Sequence, residues 1–132
     1  MYMVPVIKEK HNKKLNYVKG RWGESITTSY LEKEGYIILK RNFRCYFGEV
    51  DIIAFSGNII CFVEVKMRNS TKFGLGSEFV GFTKMNRIKK CAKYFFNTQV
   101  ISKNKSLYII RFDICEITRY KGIYYCRLIK NV

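Results

Sequence analysis

At 132 residues the chain has the length of one ordinary domain. It is 48% hydrophobic and 16% aromatic, enough to build a core, which excludes a disordered chain; its apolar runs, such as 58–65, are too short to span a bilayer. Twenty-five Lys and Arg against ten Asp and Glu give a net charge of +15, a field that draws polyanions, phosphate backbones foremost.

No polybasic stretch is joined to a strong apolar face, so a membrane surface is not the expected partner. A lysine-rich proteome also yields basic proteins, so charge alone does not name the polyanion. The first residues lack an apolar stretch followed by a small-residue cleavage site, and no signal peptide is expected. Cys45, Cys61, Cys91, Cys115 and Cys126 are odd in number and scattered, and His11 is the sole histidine. That pattern holds no zinc site and predicts reduced, mostly buried thiols in a cytoplasmic protein.

Residues 1–14 are polar and basic and read as a mobile arm, leaving 15–132 as a single domain. Over 17–34, Val18, Trp22, Ile26 and Tyr30 recur at four-residue spacing, a helix that Gly35 stops. A strand is predicted over 36–44, and two more over 48–55 and 59–68, joined through Ser56-Gly57-Asn58 as a hairpin. Residues 69–77 read as a loop. A second amphipathic helix follows over 82–97, with Met85, Ile88, Ala92 and Phe95 or Phe96 as its stripe and lysines elsewhere around it. Strands over 107–117 and 123–129 turn at Lys121-Gly122. The order αβββαββ predicts an α/β fold, a mixed central sheet flanked by helices.

The hairpin carries the chemistry. A two-residue loop at Gly57-Asn58 pairs Ser56 with Ile59, so every pair sums to 115. Asp51 then falls opposite Glu64, and Glu49 opposite Lys66, with Cβ atoms roughly 5 Å apart on one face. The rest of that face is apolar (Ile53, Phe55, Ile60, Phe62), and the other carries Val50, Ile52, Ala54, Cys61, Val63 and Val65. Opposed carboxylates at the end of a buried hairpin repel, and a divalent cation relieves them; oxygen donors suit Mg²⁺ or Mn²⁺. Such a cation generates hydroxide and polarises a phosphodiester, while Lys66 orients the water or steadies developing charge. The competing reading is a surface patch in which Lys66 pairs with Glu64 or Glu49. The apolar neighbours and the positive net charge count against it.

G-x-x-G-E (20–24), Y-L-x-x-x-G-Y (30–36), G-E-V-D-I-I-A (48–54), F-V-E-V-K-M-R (62–68), K-x-x-R-I (84–88) and R-F-D-I (111–114) occur in order. Together they resemble the YraN-like family of predicted bacterial endonucleases, across roughly 17–117. That family is distantly similar to archaeal Holliday-junction resolvases, within the PD-(D/E)XK, restriction-endonuclease-like superfamily. The resemblance implies an αβββαβ core and carries over Asp51, Glu64 and Lys66 as the catalytic set. It adds Glu24, a first-helix glutamate near the metal; by itself Glu24 reads as a solvated helix residue. Thr27 and Thr28 depart from the alanines often found in the family. Glu49 is expected behind the metal ligands or paired with Lys66, and Asp113 as structural or close to DNA.

The implied activity is Mg²⁺- or Mn²⁺-dependent cleavage of DNA, branched or single-stranded, with Lys84, Arg87, Arg68, Lys19 and Arg21 contacting nucleic acid. Resolvase-like relatives act as dimers, so a homodimer is implied. The alternatives are a nucleic-acid-binding protein that keeps the fold without cutting, and an enzyme directed at RNA. The complete D…E-x-K set favours the enzyme.

Overall fold

The structure is a computed structural model describing residues 4–8, 15–68, 81–100 and 105–132, with backbone alone for 4–8 and 15–21. In chain order the elements are β1 (Val4–Lys8), α1 (Leu15–Lys33), β2 (Ile37–Cys45), β3 (Gly48–Ser56), β4 (Ile59–Arg68), α2 (Phe82–Gln99), β5 (Ile109–Tyr120) and β6 (Ile123–Ile129). The stretch from α1 to β5 is the expected αβββαβ order.

Local chemistry sets the boundaries. Gly35, at φ 90°, ends α1 by donating its N–H to the Glu32 carbonyl at 3.0 Å, while Tyr36 N–H reaches the Leu31 carbonyl at 2.9 Å. This left-handed cap satisfies carbonyls that the last turn would leave open. At the β3–β4 turn Gly57 has φ 61°, a value that costs glycine little.

Among the described residues, six strands form one sheet in the order β1-β6-β5-β4-β3-β2. Of these, only β4 and β5 run parallel, and α2 lies in the crossover between them. α1 covers one face, burying Ile26 and Leu31 against Ile52, Ala54, Cys61 and Val63. α2 covers the other, burying Ile88, Cys91, Ala92 and Phe95 against Val50, Ile53, Ile60 and Phe62. No helix of the described residues is long and apolar enough to cross a membrane.

Two expectations are corrected. Val4–Lys8, expected within a mobile arm, forms β1 and pairs antiparallel with β6. Val4, Val6 and Ile7 are β-branched, and Pro5, lacking an N–H, is tolerated because β1 is an edge strand. The remainder of residues 1–14 lies outside the described residues, as does the expected loop 69–77. Val50, expected on the face of Ile52 and Ala54, is instead buried on the α2 face, for a reason that lies in the candidate site.

Candidate metal centre

The hairpin register follows the sum of 115 from Ser56↔Ile59 to Ile52↔Val63 and then stops. The next backbone donor on β4, Val65 N–H, bonds the Asp51 carboxylate at 2.8 Å. A side-chain oxygen thus stands where a strand carbonyl would. β3 leaves β4 at that point but stays paired with β2 through Phe43↔Val50, Arg44↔Glu49 and Cys45↔Gly48. Asn42, flanked by the Arg41↔Ile52 and Phe43↔Val50 pairs, takes a left-handed φ of 52°. Between Val50 and Ile52 the strand turns over, because these residues, two apart, sit in cores on opposite faces. The strand pairs expected beyond that point, Asp51 with Glu64 and Glu49 with Lys66, are therefore not made, although the Glu64 charge still acts on Asp51.

The turn-over sends Glu49 towards α1, where Glu24 waits. Ligand oxygens of Glu24, Glu49 and Asp51 all lie within 4.8 Å of one another. Glu24 gets there because α1 runs close to β4 at Gly23. A Cβ on Gly23 would stand 2.8 Å from Met67 Sδ and 3.3 Å from Val65 Cγ1. Asn42 Nδ2 then donates to Glu24 Oε2 at 2.8 Å, and Arg41 stands 4.0 Å from the same oxygen.

Glu64 is buried on the α2 side of Asp51 and forms an ion pair with Lys84. Arg44 pairs with Glu49 at 3.3 Å. Each outer carboxylate thus has a cation beside it, whereas Asp51 has a backbone N–H. Burial pushes the Asp51 carboxyl up to about 7, the Glu64 charge adds to this and Glu24 adds less; the Val65 N–H opposes them. The donors are hard oxygens around an acid short of positive charge, which fits a divalent cation.

The structure brings carboxylate oxygens of Glu24, Glu49 and Asp51 together, with Glu64 alongside. Lys66 is half-buried on β4, beside Glu116 of β5. Lys84, expected on nucleic acid, is engaged by Glu64; Arg87 is exposed one turn further along α2. Arg68 is half-buried at the end of β4. Lys19 and Arg21 lie in α1 where only the backbone is described. Asp113 is structural: Arg111 holds it through Nε and Nη2 at 2.8–3.0 Å, and Asn131 N–H donates to it at 3.0 Å. Sequence reasoning missed Arg41, Asn42 and Arg44. An asparagine inside a strand was the available signal, since Asn is depleted in strands and tolerates left-handed backbone.

A family model described as "Uncharacterised protein family UPF0102" matches residues 23–117, which span the whole cluster. The chain belongs to this family. It is the YraN-like family that the motifs pointed to. A UPF0102 protein of Caldicellulosiruptor bescii is 53% identical over 98 residues, covering 74% of this chain and 80% of the relative. UPF0102 proteins of Clostridium perfringens (strain 13) and Clostridium acetobutylicum are 47% and 46% identical, over 80% and 79% of this chain and 83% and 82% of theirs. The UPF0102 name carries no activity, so chemistry has to be argued from the carboxylates.

Proposed function

We propose that this protein is a nuclease dependent on a divalent cation, Mg²⁺ or Mn²⁺, that hydrolyses phosphodiester bonds of DNA. One observation carries the reading: Asp51 has Glu24, Glu49 and Glu64 around it, and Lys66 follows Glu64 by two residues. Gathering like charges in a half-buried site costs folding energy, and a cation offsets that cost. Asp51, Glu24 and Glu49 would hold the cation, and Glu64 would join them when Lys84 turns to a phosphate. When bound, the cation would polarise the phosphodiester and lower the pKa of water. Lys66, on the Glu64 face of β4, offers an ammonium to the negative charge that grows on the phosphoryl oxygens. Asn42 and Arg41 orient the Glu24 carboxylate. The net charge of +15 draws the substrate in. Five free thiols fit the cytoplasm expected for it.

The test is incubation with junction, flap, duplex and single-stranded DNA, with an RNA arm, in Mg²⁺, Mn²⁺ or EDTA. Cleavage is expected in metal alone, and folded Glu64→Ala should lose it. Undiminished cleavage by Glu64→Ala, or by the wild type in EDTA, refutes the proposal. Binding without cleavage of any substrate would assign the fold to nucleic-acid binding alone.

A further inference from the structure

The two-residue turn between β2 and β3 is Tyr46-Phe47, an apolar pair at the tip of a hairpin. Tyr46 is 96% exposed, Phe47 39% and Tyr94, on α2, 44%. Phe47 links the other two rings. Tyr46 and Phe47 meet with centroids 5.5 Å apart at 82°, and Phe47 and Tyr94 at 6.5 Å and 65°. Phe43, part of the core on the α2 face, backs Tyr94 at 6.3 Å. Single exposed rings are ordinary, but three joined in a row form a patch. Tyr46 buries almost nothing, so stability does not account for an aromatic ring at that position.

The surroundings of the patch are basic. α2 carries Lys84, Arg87, Lys89, Lys90 and Lys93 and has no acidic residue. A shallow pocket of about 370 Å³ opens where Phe47 and Tyr94 meet Lys90, Lys93 and Asn97. Aromatic faces flanked by exposed lysines are what stacked bases and their phosphates require: every base has a π-face, and the ammonium groups meet the backbone. Paired bases keep their faces inside the duplex, so such a patch discriminates for unpaired ones. The turn also leads straight into the carboxylates. Glu49 is two residues past Phe47 and Asp51 four, at most about 13 Å along the chain.

We infer that Tyr46, Phe47 and Tyr94, with Lys90 and Lys93, form a stacking site for unpaired bases of a nucleic acid, set beside the metal cluster. The inference rests on the nucleic-acid reading above and deepens it: the preferred substrate is single-stranded or locally unpaired next to the scissile phosphate. It does not depend on cleavage.

Binding is measured in EDTA, where no cutting occurs, by fluorescence anisotropy of labelled oligo-dT, oligo-rU and a duplex of equal length. The variants are Tyr46→Ala/Phe47→Ala, Tyr94→Ala and, as the conservative control, Tyr46→Trp. The alanine variants should weaken binding of a single strand about tenfold, within the range that stacking supplies per base. Duplex affinity should change less than about twofold, and Tyr46→Trp should keep the wild-type preference. The oligonucleotide with the larger loss names DNA or RNA as the source of the bases. Unchanged single-strand affinity overturns the inference, and so does an equal loss on duplex. A fall in oligomeric mass without any change in oligonucleotide affinity also overturns it, by making the patch an interface between copies of the chain. Cleavage by the wild type in Mg²⁺, scored separately, tells failure of this inference from failure of the nuclease proposal.

Discussion

Asp51 ties the site together, and its carboxyl is pushed up to about 7 chiefly by burial and by the Glu64 charge. Without metal, the native state keeps this proton until about pH 7, whereas the unfolded chain releases it near 3.8. The native state therefore binds more protons between those values, and stability falls as pH rises through the window, by up to about 1.4 kcal/mol per unit. Asp51→Asn keeps the shape and removes the charge. In EDTA it should match the wild type near pH 4 and exceed it at pH 8 by up to about 4 kcal/mol, the slope summed over that window. Mg²⁺ or Mn²⁺ should raise the melting temperature of the wild type above pH 7, and that of the variant much less. Melting curves of both proteins across pH decide this; equal metal responses would remove Asp51 from the metal site. Lys66 belongs to the same scale. An ammonium cannot ligate a cation, so Lys66→Ala should lose turnover while keeping the metal-induced melting shift and DNA affinity. Loss of DNA affinity with normal turnover at saturation would move Lys66 to the substrate groove.

Among elements, the approach of α1 to β4 decides whether Glu24 reaches Asp51. Gly23 makes that approach possible, and Thr27, one turn on, is buried with its hydroxyl on the Gly23 carbonyl at 2.9 Å. In Gly23→Ala the new methyl meets the flexible end of Met67, and better helix propensity offsets part of the clash, so the change should stay within about 1 kcal/mol. Gly23→Val cannot be absorbed this way. It should cost about 1–3 kcal/mol and shrink the Mg²⁺-induced melting shift, because Glu24 moves outward. A Gly23→Val protein with unchanged stability and unchanged metal shift would contradict the close approach. The elements themselves were largely legible: β4 and β6 have the expected bounds, and Trp22, Ile26 and Tyr30 pack against one core as their spacing required. The hairpin register was legible as far as Ile52↔Val63. Alternation fails beyond it because a side-chain carboxylate takes the place of a backbone acceptor, and no periodicity of apolar residues records that exchange. For the same reason Glu49 was set opposite Lys66 instead of beside Glu24. β1 was hidden by its shortness, its proline and its basic flanks, and it forms only because β6 offers a partner 115 or more residues away in the chain.

For the whole molecule, the net charge is +15, while Glu24 of α1, Glu49 and Asp51 of β3 and Glu64 of β4 gather their carboxylates at one place. A substrate held by that field should bind less tightly as salt rises, with a log–log slope of about −0.9 per phosphate contacted on duplex DNA. Titrations at low and moderate salt measure the slope, and affinity that barely changes would mean the lysines only keep the protein in solution. Both margins of the sheet bear on how copies of the chain can meet. On one side β1 contains Pro5, and its register slips before Ile7; on the other, β2 slips before Lys40 and kinks at left-handed Asn42 amid Lys40, Arg41 and Arg44. Neither margin is the flat, uncharged ribbon that another strand needs as a template. The sheet is thus ended on both sides, much as a glycine ends a helix, and open-ended polymerisation through strand addition is blocked. Any association of copies would then use side-chain surfaces, where recognition depends on shape and charge.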